Sequence, residues 1–396
     1  MRTRSAWLGA VAVLAFIASA CAAAATPTPP PATEAPTAAP TEAPTAAPTV
    51  AYKSLKIGVV TDVGSVDDKN FNEYTYKGAL DGAAAIGADE PAVVVPKAAA
   101  DYAKLIGDFA TQGFDTIVTV GFNLGAETTK AAKEYPDITF IGVDQSPICV
   151  DETGALDTTF GCKGDAKTLL PNYISLTYQE DQPGYLAGMV AAALSKNGVI
   201  GAIGGITLCG PCVRYIQGYE LGAKSINPDI KVFVAYVTES DFVKAFYDKA
   251  GGKTFAKTFI ALNKPDVIFQ VAGQTGNGVL EAACEAGLLG VGVDVDQYLS
   301  IQPPPTCLVT SAEKHLQVTV ADMITRLASG TATPGDNLYD ATNEGIGVSP
   351  FHDFASQIPA DLQGKLDEAL AQMKAGTLKT CPSKADGDPV DCGRLQ

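Results

Sequence analysis

Histidine is nearly missing from this chain, with only His315 and His352 among 396 residues. A catalytic metal centre built on imidazole ligands is excluded by that scarcity. Tryptophan occurs once, at Trp7, and the 28 basic residues are outnumbered by 44 acidic ones, for a formal charge of −16. A field of that sign repels polyanions, so nucleic acid is set aside as a partner. No stretch beyond the first twenty residues approaches the ~20 apolar residues that a membrane-spanning helix needs. A Gly-x-Ser-x-Gly nucleophile elbow is absent as well. Tyr247-Asp-Lys-Ala-Gly-Gly-Lys-Thr254 nearly spells a P-loop but puts tyrosine where the first glycine belongs, and Gly273-Gln-Thr-Gly276-Asn-Gly278 lacks the dinucleotide spacing. Nothing assembles an enzyme, and nothing calls for a cofactor or a metal. What is present is 46% hydrophobic and 18% charged, enough for a large core, at a length that suits two domains or three.

The first twenty residues stand apart. A cationic start with Arg2 and Arg4 precedes an apolar run from Ala6 to Ala18, interrupted only by Gly9. That run suits the core of an export signal over residues 1–20. Ala18-Ser19-Ala20-Cys21 places small residues before a cysteine, the pattern of a lipobox whose thiol is diacylated; ordinary cleavage after Ala20 is the alternative. From Ala22 to Val50 the chain is dominated by Ala, Thr and Pro, and Thr33–Pro40 repeats identically as Thr41–Pro48. Such a tract buries nothing and resists helix, so residues 21–51 are expected to be an extended spacer holding a folded body away from a lipid anchor at Cys21.

Eight further cysteines fit an oxidising, extracytoplasmic compartment. Eight allow 105 pairings, but here they fall along the chain as four sequential pairs. The expected bonds are Cys149–Cys162, Cys209–Cys212, Cys284–Cys307 and Cys381–Cys392. Cys209-Gly-Pro-Cys212 has the spelling of a thioredoxin active site ahead of an expected helix, which would lower a thiol's pKa. The preceding residue is Leu208 rather than tryptophan, so a structural disulfide is the reading adopted, with an exported thiol oxidoreductase as a rival.

Short β-branched runs alternate with helical patterns along the whole body. Leu55–Val60, Ala92–Val95, Thr116–Val120 and Ile138–Val143 read as strands, separated by helical stretches at 70–86, 101–112 and 125–135. The rhythm restarts after Tyr178, with strands at Val199–Ile203, Lys231–Val237, Asp266–Val271 and Val291–Val293. This alternation implies an α/β protein with two doubly wound, parallel-sheet lobes. Candidate crossings between lobes are Tyr173–Thr177, Cys307–Thr310 and Gly345–Val348. The first lobe is therefore expected over 52–175 plus about 308–345, the second over 176–307 plus about 346–380, with 381–396 as a tail.

In open parallel sheets ligands bind beyond the carboxyl ends of strands. There stand Asp62, with Asn70 and Phe71 further along the same loop; Asp144 after the fourth strand; and Asp294-Val-Asp296 after the strand at 291–293. Singly, Asp62 and Asn70 read as turn or cap residues. Three acidic loops at one mouth read as a site that rejects phosphates and accepts hydrogen bonds from hydroxyls or ring N–H groups. The implied ligand is neutral, either polyhydroxylated or a nucleobase.

GVVTDVGSVDDKNFNEYTYKG, YPDITFIGVDQ, and QVAGQTGNGVLEAA followed by VGVDVDQY resemble the basic membrane protein family of substrate-binding lipoproteins, over about Leu55 to Leu327. The resemblance implies a type I periplasmic-binding-protein-like fold, two α/β lobes joined by three crossings. It also implies a monomeric, lipid-anchored receptor that takes purine nucleosides for an ABC importer and meets its permease subunits. Matched residue by residue, Asp62 and Asn70 would contact the nucleoside, Phe71 would stack on the base and Asp144 would hold the base edge. The opposite aromatic falls on Phe246, with Phe242 as its rival, and ribose contacts fall on Gly273, Asp296 and Lys314. A sensor for a sugar or another neutral ligand is the alternative function, since a permease would be encoded elsewhere.

Overall fold

The computed structural model describes residues 51–381 apart from Ile148 and Phe160. The leader, Cys21, the Ala/Thr/Pro tract and the partner expected for Cys381, Cys392, lie outside the described residues. No helix among those described is long and apolar enough to cross a membrane.

The first half of the chain runs β1 (Ile57–Val60), α1 (Phe71–Ile86), β2 (Ala92–Val94), α2 (Tyr102–Thr111), β3 (Thr116–Val120), α3 (Gly125–Glu134), β4 (Thr139–Val143), the single turn α4 (Ala166–Leu169) and β5 (Tyr173–Tyr178). Then follow α5 (Asp181–Leu194), β6 (Val199–Gly204), α6 (Gly210–Ile226), β7 (Lys231–Tyr236), the short α7 (Phe242–Phe246), α8 (Lys249–Asn263), β8 (Val267–Val271), α9 (Gly273–Glu285) and β9 (Leu289–Asp294). The last part holds α10 (Gln297–Ser300), β10 (Leu308–Lys314), α11 (Leu316–Ala328), β11 (Gly335–Tyr339), β12 (Ile346–Val348) and α12 (Leu362–Lys374).

Two six-stranded sheets result, ordered β11-β5-β4-β3-β1-β2 and β12-β10-β9-β8-β6-β7. Every pairing is parallel except β10 with β12. Parallel sheets must be covered on both faces, and the period of two in the strands does this. Ile57, Val59, Val118, Val120, Ile141 and Val143 enter one core, while Val60, Ile117 and Phe140 enter another on the opposite face.

The chain passes between sheets after β5, after β10 and after β11. Two of these positions correct the sequence expectation. Leu308–Lys314 pairs with β9 and belongs to the second sheet, so the crossing follows Lys314 instead of falling at Cys307–Thr310. Tyr173–Tyr178 likewise stays whole in the first sheet, and the passage comes just after it. Apolar strands look alike whichever sheet they join, so the pattern alone misplaced the boundary.

Helices α5 and α6 meet closely through glycines. A Cβ on Gly184 or Gly188 would stand 2.2 or 2.1 Å from the carbonyl oxygens of Tyr215 and Tyr219. One on Gly218 or Gly222 would stand 2.0 or 1.9 Å from those of Asp181 and Tyr185. Two glycine pairs at four-residue spacing therefore set the backbones against each other and fix the first turns of both helices. Disulfides Cys149–Cys162, Cys209–Cys212 and Cys284–Cys307 form as the spacing suggested.

Candidate ligand-binding site

Between the carboxyl ends of the two sheets lies a cleft to which both contribute. The first supplies Asp62, Asp68, Phe71, Phe122 and Asp144; the second supplies Tyr215, Phe246, Tyr247, Gly273, Asp294 and Lys314. The lobes touch across it: Asn277 Nδ2 donates to the Asp68 carbonyl at 3.4 Å and Ser300 Oγ to the Lys69 carbonyl at 2.7 Å. Phe122 meets Phe242 and Phe246 with ring centroids 5.9 and 6.2 Å apart.

Asp62 follows β1. Its carboxylate accepts from the Tyr102 hydroxyl, from Val63 N at 2.7 Å and from Asn123 Nδ2 at 3.2 Å. Burial pushes its pKa up, against the pull of those donors. Asp68 accepts from the backbone N–H groups of Asn70, Asn72 and Glu73 at 2.8, 3.0 and 3.1 Å, satisfying orphan donors at the start of α1. Burial still raises it to about 6. Capping duty thus falls to Asp68, leaving Asn70 fully buried with neither Nδ2 nor Oδ1 hydrogen-bonded among the described residues. Buried amides are rarely left unpaired. Phe71, the first residue of α1, lines the cleft with Lys314 Nζ 5.5 Å from its ring centroid.

Lys314, at the end of β10, is the electrostatic centre. Its Nζ lies 2.8 Å from Asp144, 3.2 Å from Glu180 and 3.8 Å from Asp294. Glu180 also pairs with Arg214, so three acids and two bases share one buried site. Burial opposes the charge on Lys314, but the surrounding acids win and hold its pKa above the ordinary lysine value. Burial raises Asp144 and Asp294, opposed by Lys314. Glu180 feels the same burial, yet Arg214 and Lys314 together hold it below the ordinary range. Glu180 and Arg214 escaped sequence reasoning. They lie at the starts of α5 and α6 and meet only because the glycine faces bring those helices together.

Asp296, expected to hold ribose, does not line the cleft. It caps α10, accepting from Tyr298 N at 3.1 Å, and its other oxygen meets His352 Nε2 at 2.7 Å. Asp294 lines the cleft instead, 3.3 Å from the Tyr215 hydroxyl that donates to it. A signal existed: Gly142-Val143-Asp144 carries the chain out of β4 as Gly292-Val293-Asp294 closes β9, and both aspartates adopt left-handed backbone at φ 62° and 64°. The same kink at equivalent strand ends puts both carboxylates against Lys314. Of the two aromatic alternatives, Phe246 lines the cleft and Phe242 packs behind it, their ring centroids 6.4 Å apart. Gly273 opens α9 at φ 51° on the cleft wall. Tyr215, Tyr247 and Phe122 were missed, as were Cys209, Pro211 and Cys212, which also face the cleft.

Comparison with known proteins agrees with this architecture. The chain is 28% identical over 352 residues to the ABC transporter nucleoside-binding protein BmpA of Lactococcus lactis, covering 84% of this chain and 88% of that one. It is 26% identical over 346 residues to a CD4+ T-cell-stimulating antigen of Listeria monocytogenes, covering 83% and 88%. A solute-binding protein of an ABC transporter system from Aeropyrum pernix has the same fold, with a TM-score of 0.68 at 22% identity over 84% of this chain and 95% of that one. Residues 55–373 match the family of PnrA-like ABC transporter substrate-binding proteins, and the chain belongs to that family.

Proposed function

We propose that the cleft takes a purine nucleoside and that the protein is a monomeric, lipid-anchored receptor presenting it to the permease of an ABC importer. The observation that carries this reading is the convergence of Phe71 and Phe246, from opposite lobes, on a cleft whose polar groups include Asp144, Asp294 and Lys314. Two aromatic faces suit a flat base. Asp144 suits an N–H donor on the base edge, and Asp294 beside Lys314 suits a ribose diol, with one acceptor and one donor. The unpaired amide of buried Asn70 suits a ligand with both donors and acceptors. The nucleoside-binding relative of L. lactis points the same way. Anchoring through Cys21 and spacing by residues 22–51 complete the reading outside the cytoplasm.

Thermal melting of the full chain with adenosine, guanosine, inosine, ribose and galactose tests it. A bound ligand at a hundredfold excess over Kd stabilises the fold by about 2.7 kcal/mol, so a nucleoside-selective rise in Tm is expected. Stacking is worth ~1–3 kcal/mol per base, so Phe71→Ala should weaken binding roughly 5- to 150-fold. A rise with sugars alone would move the reading to a sugar receptor or sensor.

A further inference from the structure

Cys209 and Cys212 bracket the first turn of α6, and both face the cleft together with Pro211. They are 2% and 5% exposed, so the bond sits in the wall and not on the outer surface. Cys209 caps the helix, its Sγ accepting from Cys212 N at 3.1 Å. The two residues after Val213 carry the charge network: Arg214 pairs with Glu180, and the Tyr215 hydroxyl donates to Asp294. The first two turns of α6 therefore hold an apolar patch of the wall and the supports of the acids around Lys314. The other two described disulfides lie elsewhere, Cys149–Cys162 in the loop after β4 and Cys284–Cys307 between α9 and β10.

We propose that the Cys209–Cys212 disulfide is a working part of the ligand-binding surface, and that its cleavage weakens ligand binding. This rests on the cleft being the ligand site. A dithiol reductant donates two electrons and two protons: the S–S bond breaks, Cys209 and Cys212 become thiols, and the reductant closes to its own disulfide. The unbonded sulfurs then separate to van der Waals contact. In a closely packed wall that extra volume goes into the cleft, and the turn that positions Tyr215 and Arg214 is released. The helix N-terminus favours a thiolate there, so the reduced form is chemically accessible.

Binding linkage makes the effect reciprocal. If reduction lowers affinity tenfold, saturating ligand makes reduction of this bond tenfold harder, which for a two-electron couple is a shift of about 30 mV to more negative potential. A disulfide whose reduction leaves both the native fold and the cleft unchanged would not sense the ligand, so far-UV and near-UV circular dichroism of the reduced chain is recorded alongside to show that the fold persists.

The test is a dithiothreitol redox titration of the full chain, with thiol trapping and peptide mapping to follow each disulfide separately. It is run without ligand and with saturating adenosine, guanosine, inosine, ribose or galactose, after calorimetry has shown which of these the oxidised chain binds. The expected result is a ligand-induced negative shift for Cys209–Cys212 and none for Cys149–Cys162 or Cys284–Cys307. Calorimetry of C209S/C212S, which keeps two unbonded side chains of near-thiol size at these positions, should show an affinity loss in the same direction. Nucleoside binding with an unmoved Cys209–Cys212 potential would overturn the proposal while leaving the nucleoside reading intact. Binding of a sugar alone would overturn the nucleoside reading, and the potential measured with that sugar would then decide the role of the disulfide. An oxidised chain that binds nothing in the panel overturns both.

Discussion

Lys314 keeps its charge in a buried site because Asp144, Glu180 and Asp294 surround it, and the cleft's polarity follows from that cluster. Losing a hydrogen bond to a charged group costs about 1.5–3 kcal/mol. Asp294→Asn should therefore weaken nucleoside binding roughly 10- to 100-fold. Asp296→Asn, which disturbs only the cap of α10 and the His352 contact, should leave affinity within about threefold; calorimetry on the pair separates them. Asp68 gives a pH signature. Its folded pKa is raised to about 6 from 3.8, so the folded state holds the proton more tightly than the unfolded one. The associated stability is complete below pH 3.8 and lost as pH rises through 6, a change of up to about 3 kcal/mol. Denaturant unfolding of wild type relative to Asp68→Asn should fall by about 2 kcal/mol between pH 4 and 6.5, and parallel profiles would refute the assignment. Most of these residues were legible because they stand at strand ends. Asp296 was expected at the cleft where Asp294 stands, because both come at the end of one apolar run, and only the backbone kink at φ 64° decides which one faces Lys314.

Among the elements, the α5–α6 pair does the most to shape the site. Gly184, Gly188, Gly218 and Gly222 let the helices approach until carbonyl oxygens fill the space of missing side chains, and this contact puts Glu180 beside Arg214. Gly188→Ala should destabilise the fold by about 1–3 kcal/mol through overpacking. Gly364→Ala in α12, where a Cβ meets nothing within 4 Å, should be neutral or slightly stabilising. Comparable losses of Tm in both variants would contradict the role given to the close approach. The alternation of strands and helices could be read from the sequence, because short continuous apolar runs such as Ile57–Val60 differ from amphipathic stretches such as α1. Sheet membership could not be read in the same way. Leu308–Lys314 carries no sequence mark of either sheet, and only its pairing with β9 assigns it. The Glu180–Arg214 pair was invisible for a related reason: helix packing brings together residues whose sequence neighbourhoods carry no motif.

At the scale of the whole molecule, a ligand held by groups from both lobes would couple binding to closure. The lobes meet through Ser300 and Asn277, and contacts to both lobes require that meeting, so such a ligand would shift the population toward the closed form. The same geometry would set selectivity. A 5′-phosphate would enter a cleft bearing Asp62, Asp144 and Asp294, with Lys314 already committed to its neighbours. A like-charge pair at ~4 Å costs about 4 kcal/mol at an effective dielectric of 20. The decisive measurement is isothermal titration calorimetry of the full-length oxidised chain with adenosine, guanosine and inosine, each against its 5′-monophosphate. At least one nucleoside should bind, with its monophosphate at least about 100-fold weaker. Equal affinity for nucleoside and monophosphate, or no binding of any nucleoside, would contradict the assignment of this acidic, aromatic-walled cleft to a neutral nucleoside.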